Sequence, residues 1–469
     1  MLRSWSSKRV GSAACFSLLL LSSCGFPRAA SARPNFFAPQ TGPERSAPSQ
    51  PPIPGLPKTE RPQPQDQKTE QYTLAEDRYE KAVAYSRAGY TLYFVSYLIS
   101  VLVLILILWT GAAAKFRDIA ERVSGKRWVQ GLIFVPLLFV TCDIFDLPVR
   151  FYWHALSLRY EQSVQHWGSW FWDWAKEELV ATAFALILVL ILYGVMRRSP
   201  RRWWLYFWIA ALPILLGFIF VGPWVIDPLF HSFEPLDKEH PQLVASIEKL
   251  TQHAGVPIPR DRIFLMRASE KTNELNAYVT GLGASKRVVV WDTTIQKTAQ
   301  DETLFIIGHE LGHYVLGHVW KGFLFGAIGL LAALYLVFRG LHWVLGCWGK
   351  DWKLYGPEDW GALAAFLLLF QITMFLATPV VNGISRMQEH ASDVYGLEVI
   401  HGIVPHSEEV AAHAFQILGE VDLADPNPSR FITFWLYSHP PLAERLVFAH
   451  SYDPWSKGQP PKYVKLSAK

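Results

Sequence analysis

The chain has 469 residues, of which 51% are hydrophobic and only 18% are charged. This balance is too apolar for an ordinary soluble protein of this length, and it predicts several membrane spans. The net charge of +4 includes no basic stripe beyond short loops, which argues against nucleic acid as a partner. Two of the four cysteines lie near the N-terminus and two in or beside apolar segments, so we expect neither a disulfide framework nor a cysteine zinc site.

The first 24 residues have the layout of a secretory signal, with basic residues ahead of the apolar stretch Ala13–Leu21, which is followed by Ser22, Ser23 and Cys24. Three fates fit this leader: simple cleavage, acylation of Cys24 as in a bacterial lipoprotein, or retention as a signal anchor. Residues 25–87 follow, and from about Pro27 to Gln71 they are rich in Pro, Ser and Gln. This composition predicts an extended, disordered linker.

Six apolar segments after the linker predict membrane helices, four within residues 88–226 and two within residues 322–385. The second segment is the shortest, and we expect it to end at Asp143. Tryptophans flank the last two segments, as they do at membrane interfaces. The segments are Tyr90–Ala114, Trp128–Cys142, Leu179–Met196, Trp203–Ile226, Gly322–Leu345 and Trp360–Ser385.

Basic residues in short loops predict the orientation in the membrane. Lys115–Arg127 contains five Lys or Arg residues and Arg197–Arg202 contains four, so both loops are expected in the cytoplasm. The fourth span then leads outward, which places residues 227–321 on the extracytoplasmic side. Together with the bacterial type of leader, this predicts a multi-pass protein of a bacterial inner membrane.

Residues 309–313 read His-Glu-Leu-Gly-His, an instance of the pattern His-Glu-x-x-His. On a helix, His309 and His313 lie one turn apart on one face, where they can share one Zn²⁺ ion. Glu310 then lies beside the ion, in the position of a general base. Acids near the predicted helix start and a following apolar run fit a buried helix. The alternative is a buried helix whose histidines only hydrogen-bond to neighbours.

His318 does not fit the zinc motif that contains three histidines, because the last histidine would have to lie one residue later. The third ligand is therefore expected elsewhere, and Glu389 follows the last predicted span. Asp393 lies one helical turn further on, where it can accept the free ring N–H of a zinc-bound histidine. Taken alone, two such acids are usually a solvated helix face.

Two further segments are candidate parts of the site. Leu275–Val279 and Arg287–Trp291 read as strands joined by a glycine-containing loop, a small β-hairpin. Its edge could pair with an extended substrate, or the hairpin could only pack on the zinc helices. His439 precedes two prolines, and a histidine near zinc could stabilise the oxyanion formed when water adds to an amide.

Together these residues resemble the type I CAAX prenyl endopeptidases, multispan zinc proteases of the membrane, and their bacterial relatives. The resemblance implies zinc held by His309, His313 and Glu389, with Glu310 as base. It also implies His439 and Arg445 in transition-state stabilisation, Asn276 and Ala277 in substrate alignment, and a chamber enclosed by the membrane helices. It runs from about Tyr90 to Arg445 and rests on Phe145–Pro148, Ile226–Phe230, Phe233–Leu236, Asn276–Tyr278, His309–His313, Ser385–Arg386, Glu389, Asp393, Ser438–Pro441 and Arg445.

We therefore predict a mainly α protein whose polytopic membrane helices enclose a chamber, with a gluzincin-like zinc peptidase domain formed by residues 227–321 and 386–469. The expected function is a zinc metalloendopeptidase with one Zn²⁺ per chain. Its expected substrates are membrane-associated or lipid-linked proteins, and membrane lipids are further expected partners. The alternatives are a quality-control protease for membrane proteins and a catalytically idle membrane scaffold. The physiological substrate, any need for a prenyl group and the oligomeric state stay open.

Overall fold

The computed structural model describes residues 72–281 and 285–464. The predicted leader and residues 25–71 of the predicted linker lie outside these ranges and stay predictions, whereas residues 76–87 of the predicted linker belong to the first helix, which begins at Glu76. In chain order the helices are α1 (Glu76–Trp109), α2 (Ala112–Val123), α3 (Arg127–Arg159), α4 (Trp167–Arg198), α5 (Trp203–Val225), α6 (Asp227–Phe230), α7 (Pro241–His253), α8 (Asp292–Lys297), α9 (Gln300–Val315), α10 (His318–Trp348), α11 (Ala362–Ile400), α12 (Ser407–Val421), α13 (Arg430–Leu436) and α14 (Leu442–Ser451).

Within the described ranges, six helices are long and apolar enough to cross a membrane: α1, α3, α4, α5, α10 and α11. Each overlaps one of the six predicted segments, so the predicted number of candidate spans is confirmed. Buried aliphatic and aromatic residues of all six helices form one continuous core. Trp360, just before α11, is fully buried in it, and its indole N–H donates to Gln130 Oε1 at 3.0 Å.

The second span differs from the prediction, because α3 does not end at Asp143 but continues to Arg159. Arg150 lies two turns after Asp143, and its Nη2 is 3.7 Å from Asp143 Oδ1. The same guanidinium is 2.8 Å from Asp146 Oδ2 and 3.2 Å from Glu178 Oε1 on α4. Charged side chains are tolerated beside a membrane when they pair with one another. The helix end predicted at Asp143 was wrong, because the sequence alone does not identify the residues that pair with Asp143.

The extramembrane part contains one four-stranded sheet, formed by β1 (Phe233–Pro235), β2 (Ile263–Met266), β3 (Ala277–Thr280) and β4 (Arg287–Trp291). The strand order is β1-β2-β4-β3, with β2 and β4 parallel and the other pairs antiparallel. The predicted hairpin corresponds to β3 and β4, and Ala277 pairs with Val290. The sheet is larger than predicted because β1 and β2 add two strands on the side of β4.

Three glycines allow α9 and the end of α11 to pack at close range. A Cβ atom at Gly396 would lie 2.9 Å from the backbone nitrogen of His309. A Cβ at Gly308 would lie 3.2 Å from Gly396 O, and one at Gly312 would lie 3.1 Å from Ser392 Cα. Contacts this short leave no room for a side chain. The close approach brings the histidines of α9 beside the carboxylates of α11.

Candidate metal centre

The helix α9 presents its two motif histidines to one point. Its first turn is fixed by Glu302, whose Oε2 accepts the Ala299 backbone N–H at 2.7 Å. His309 and His313 lie one turn apart, and their Nε2 atoms are 3.2 Å from each other. Glu310 lies between them in sequence and is only half-buried. The motif is therefore helical, as predicted, with both ring nitrogens aimed the same way.

Glu389, near the end of α11, supplies a carboxylate to the same point. Its Oε2 is 3.3 Å from His309 Nε2, and its Oε1 is 3.6 Å from His313 Nε2. The side chain is buried, and the three donor atoms all lie within 4.8 Å of one another. Two imidazole nitrogens and one carboxylate oxygen are the ligand set of a catalytic zinc site that keeps one position open. The residues present therefore fit a zinc ion.

The outer nitrogen of His309 has its own partner. Asp393 Oδ1 lies 2.8 Å from His309 Nδ1, so the ring is held with Nε2 toward Glu389. Burial alone lowers the pKa of His309, but its hydrogen bonds to Asp393 and Glu389 outweigh this effect and raise the pKa to about 9. A metal ion at Nε2 therefore has to compete with a proton, as at other histidine sites.

Arg445 lies behind Asp393. Its Nε donates to Asp393 Oδ2 at 2.9 Å, its Nη2 donates to Oδ1, and its guanidinium stacks 4.2 Å from the centre of the Phe415 ring. The resemblance implied a part for Arg445 in transition-state stabilisation. The structure instead engages two of its nitrogens with Asp393, so its observed link to the site passes through Asp393 and His309.

His439 reaches the site from the loop before α14. Its Nε2 lies 3.1 Å from Glu389 Oε2, and its Nδ1 lies 2.9 Å from Ser438 Oγ. The side chain is buried, and the prolines that follow it restrict the backbone on its C-terminal side. The structure thus brings His439, His309, His313 and Glu389 into one cluster.

Asn276 and Ala277 lie at the start of β3. This strand is an edge of the described sheet, and it packs against α9. The backbone of Asn276 is held from the β4 side, where Trp291 N donates to Asn276 O at 3.1 Å and Thr294 Oγ1 lies 2.8 Å from Asn276 N. These bonds fix the beginning of β3 next to the helix that carries the two histidines.

One member of the cluster was missed by the sequence reasoning. His318 was set aside because its spacing does not suit a ligand, yet its Nδ1 lies 3.2 Å from His313 Nδ1. The signal in the sequence was Gly317, which adopts φ of 68° and allows the chain to turn between α9 and α10.

Comparison with known proteins gives the family. Residues 237–452 match the model of peptidase family M48, and residues 58–232 match the model described as CAAX prenyl protease N-terminal, five membrane helices. An uncharacterized metalloprotease of Bacillus subtilis, YhfN, is 34% identical over 372 residues, which cover 79% of this chain and 85% of that protein. The chain belongs to peptidase family M48.

A more distant relative and a solved structure are similar as well. CAAX prenyl protease 1 of Saccharomyces cerevisiae is 25% identical over 335 residues, which cover 68% of this chain and 71% of the yeast protein. The crystal structure of S. mikatae Ste24p aligns with a TM-score of 0.70 at 23% identity, and the alignment covers 81% of this chain and 90% of that one. The predicted family resemblance and the predicted fold class are confirmed.

Membership in M48 bears on the reaction as well. The family consists of metalloproteases, so the chain is a membrane metalloprotease. Membership in the family also implies a metal ion. The cluster of His309, His313 and Glu389 lies in the part matched to M48 and is the group of side chains within the described residues whose ligand atoms are close enough together to hold a metal ion. The individual roles of these residues and the substrate stay predictions.

Proposed function

We propose that this M48 protein is a zinc metalloendopeptidase embedded in the membrane, which cleaves peptide bonds in membrane-associated or lipid-linked proteins. The observation that carries the proposal is the convergence of His309 Nε2, His313 Nε2 and one Glu389 carboxylate at the end of a membrane helix. A scaffold without activity would have no need for a buried cluster in which three ligand side chains face one point.

In the proposed mechanism, His309, His313 and Glu389 hold the zinc ion. A bound Zn²⁺ ion supplies Lewis acidity, which acidifies the attacking water and polarises the scissile carbonyl. Glu310 takes a proton from this water through a side-chain oxygen and returns it to the leaving amine. Its partial exposure beside the buried His309 suits a base that has to reach both substrate and solvent.

His439 and Arg445 support the reaction in different ways. His439 is near enough to the Glu389 carboxylate to face the reacting carbonyl, and we assign it to stabilising the oxyanion. Arg445 acts as a positioning residue, because it holds Asp393, and Asp393 fixes the ring of His309. Loss of Arg445 would therefore act on the geometry of the metal site.

We assign substrate alignment to the edge of β3. Asn276 and Ala277 begin this strand beside α9, and an extended peptide can add to the edge of a sheet through backbone hydrogen bonds. Such a peptide would run along the helix that carries Glu310. The alternative, a hairpin that packs on α9 without touching substrate, predicts that bulky substitutions at Ala277 leave the Michaelis constant unchanged.

Replacing the base tests the function. Glu310→Gln should keep the fold and the zinc but lower endopeptidase activity on a generic peptide by at least about 100-fold, because proton transfer is lost. Asp301→Asn is the matched control: it makes the same change of an acid to an amide on the same helix, two turns from the site. Activity of Glu310→Gln within about tenfold of the unmodified protein, a barrier change of only about 1.4 kcal/mol, would remove Glu310 from the mechanism.

We further propose that the metal centre faces the extracytoplasmic side. The support is the positive charge of the connecting segments 115–127, which includes most of α2, and 197–202, both of which are expected in the cytoplasm. In intact cells, a membrane-impermeant thiol reagent should label Ser456→Cys and should not label Ser199→Cys. Labelling at position 199 alone would invert the topology, and the accessible substrates would then be cytoplasmic proteins.

A further inference from the structure

We infer that His318 is a positioning residue that holds the ring of His313 and sets its tautomer, as Asp393 does for His309. The inference rests on the proposed metal site. Its evidence is the short distance between two ring nitrogens that are not among the three donor atoms of the ligand cluster: His318 Nδ1 lies 3.2 Å from His313 Nδ1. The side chain of His318 is buried, with 3% relative exposure, so the contact is not an accident of a mobile surface residue.

The backbone explains how His318 reaches this position. In an unbroken helix, a residue five positions after His313 would lie about 140° away around the axis, on another face. Here α9 ends at Val315, and Gly317 takes a left-handed conformation with φ of 68°. A side chain is strained in this conformation, and glycine is not. The turn begins α10 at His318 and returns its ring to His313.

The direction of the hydrogen bond follows from the site. His313 Nε2 faces His309 and Glu389, so a metal ligand there needs its lone pair on Nε2 and its proton on Nδ1. His313 Nδ1–H then donates, and His318 Nδ1 accepts. This assignment makes His318 a neutral ring with its proton on Nε2.

Two adjacent residues of α11 take part in the contacts that hold the rings of His309 and His313. Asp393 contacts His309 Nδ1, and Ser392, the residue before it, has its Oγ 3.3 Å from His318 Nδ1. Ser392 and Asp393 are fully buried. One turn of α11, which also carries Glu389, therefore supplies the third ligand, the direct partner of His309 and the contact that positions the partner of His313.

Asp393, the partner of His309, is charged, whereas His318, the partner of His313, is neutral. This difference sets how much zinc affinity the loss of each partner should cost. His309 donates to a carboxylate that is paired with Arg445, whereas His313 donates to a neutral ring. Hydrogen bonds to an ionised acceptor are roughly twice as strong as neutral ones. Removing His318 should therefore weaken zinc binding less than removing Asp393 does.

Zinc affinity, measured by chelator competition on the purified full-length protein, tests the inference. Loss of an outer partner typically costs about 10–100-fold in metal affinity. We expect His318→Ala to lie near the lower end of this range and Asp393→Ala near the upper end. His318→Asn should recover most of the affinity, because its amide oxygen can accept the His313 Nδ1–H. His342→Ala, which removes an exposed histidine of the same helix, is the matched control and should bind zinc as the unmodified protein does.

A structural role without positioning gives different results. Equal zinc affinity in His318→Ala and His342→Ala would overturn the inference, and so would a His318→Asn variant no better than alanine. If His318→Ala does not fold, the zinc affinities of His318→Asn and His318→Gln are compared instead. The longer side chain of Gln moves the acceptor away from His313, so His318→Gln should bind zinc more weakly. The absorption spectrum of the Co²⁺-substituted protein should change in His318→Gln and stay unchanged in His318→Asn.

The same series separates this inference from the proposed function. If His309→Ala binds zinc as tightly as the unmodified protein does, the proposed metal site itself is wrong. If His309→Ala loses zinc while His318→Ala keeps full zinc affinity, the proposed metal site is supported and only the positioning role of His318 is rejected.

Discussion

Two buried charged clusters lie near opposite ends of α11, and they are built differently. The first, which we call the closed pair, is Arg117 with Asp359, just before the helix begins. The second is the metal cluster around Glu389. Ala362 and Glu389 are roughly 40 Å apart along a helix that rises about 1.5 Å per residue. The same helix thus connects a purely structural ion pair to a group of ligands.

In the closed pair, each polar group has a protein partner. Arg117 Nη1 lies 2.6 Å from Asp359 Oδ2 and 2.8 Å from Lys353 O. The Asp359 carboxylate also accepts the backbone N–H groups of Tyr355 at 3.0 Å and Gly361 at 2.8 Å. Both charged side chains are buried. This arrangement ties α2 to the turn between α10 and α11.

In the metal cluster, the lone pairs of several side chains face one point. His309 Nε2, His313 Nε2 and the Glu389 oxygens lie 3.2–3.6 Å from one another. The outer nitrogens of the two rings contact Asp393 and His318. The comparison teaches that buried charge does not by itself indicate a binding site. A binding site is indicated when the acceptor atoms of several side chains converge on one point.

The largest expected effect is a loss of zinc affinity when the metal cluster, and not the closed pair, is altered. Glu389→Ala should lower zinc affinity by at least about 1000-fold, more than the 10–100-fold typical of outer partners, because a direct ligand is lost. Gln388→Ala, the neighbouring residue on the same helix, should have no effect. The measurement is zinc retained after dialysis against a mild chelator. Full zinc occupancy in Glu389→Ala would mean that another residue is the third ligand.

The second effect concerns stability. Arg117→Ala leaves the Asp359 carboxylate buried without its cation, and breaking a buried pair in this way costs about 3–5 kcal/mol. The free energy of unfolding in detergent should fall accordingly, while the zinc affinity of the folded protein stays unchanged. Arg122→Ala, an exposed arginine on the same helix, is the control. A loss no larger than that of the control would show that the closed pair is not structural.

The smallest effect comes from a looser pair, Asp227 with Arg287. The charged groups are 3.8 Å apart, and burial of Asp227 outweighs the attraction of Arg287 and raises the pKa of Asp227 to about 6. Between pH 4 and 6 the folded protein therefore binds more protons than the unfolded chain, and stability falls as pH rises. Asp227→Asn should remove about 1–2 kcal/mol of this fall. Parallel pH profiles of the two proteins' unfolding midpoints would refute the assignment.

Much of the site follows from local sequence spacing, because its parts lie on helices. Four residues separate His309 from His313, and four separate Glu389 from Asp393, which is one turn in each case. The contacts between these helices depend on the tertiary fold: Arg445 meets Asp393 and Arg117 meets Asp359 only after the chain folds. The contact between His318 and His313 does not follow from motif spacing, because the left-handed Gly317 changes the path of the chain.

The central claim is that His309, His313 and Glu389 hold one zinc ion. The most direct test is zinc K-edge X-ray absorption on the purified protein, combined with its metal content. The account predicts one zinc per chain with two imidazole nitrogens and a carboxylate oxygen at about 2.0–2.2 Å, and this signal should be lost in His309→Ala. Sulfur ligands at about 2.3 Å, or peptidase activity that persists in zinc-free protein, would contradict it.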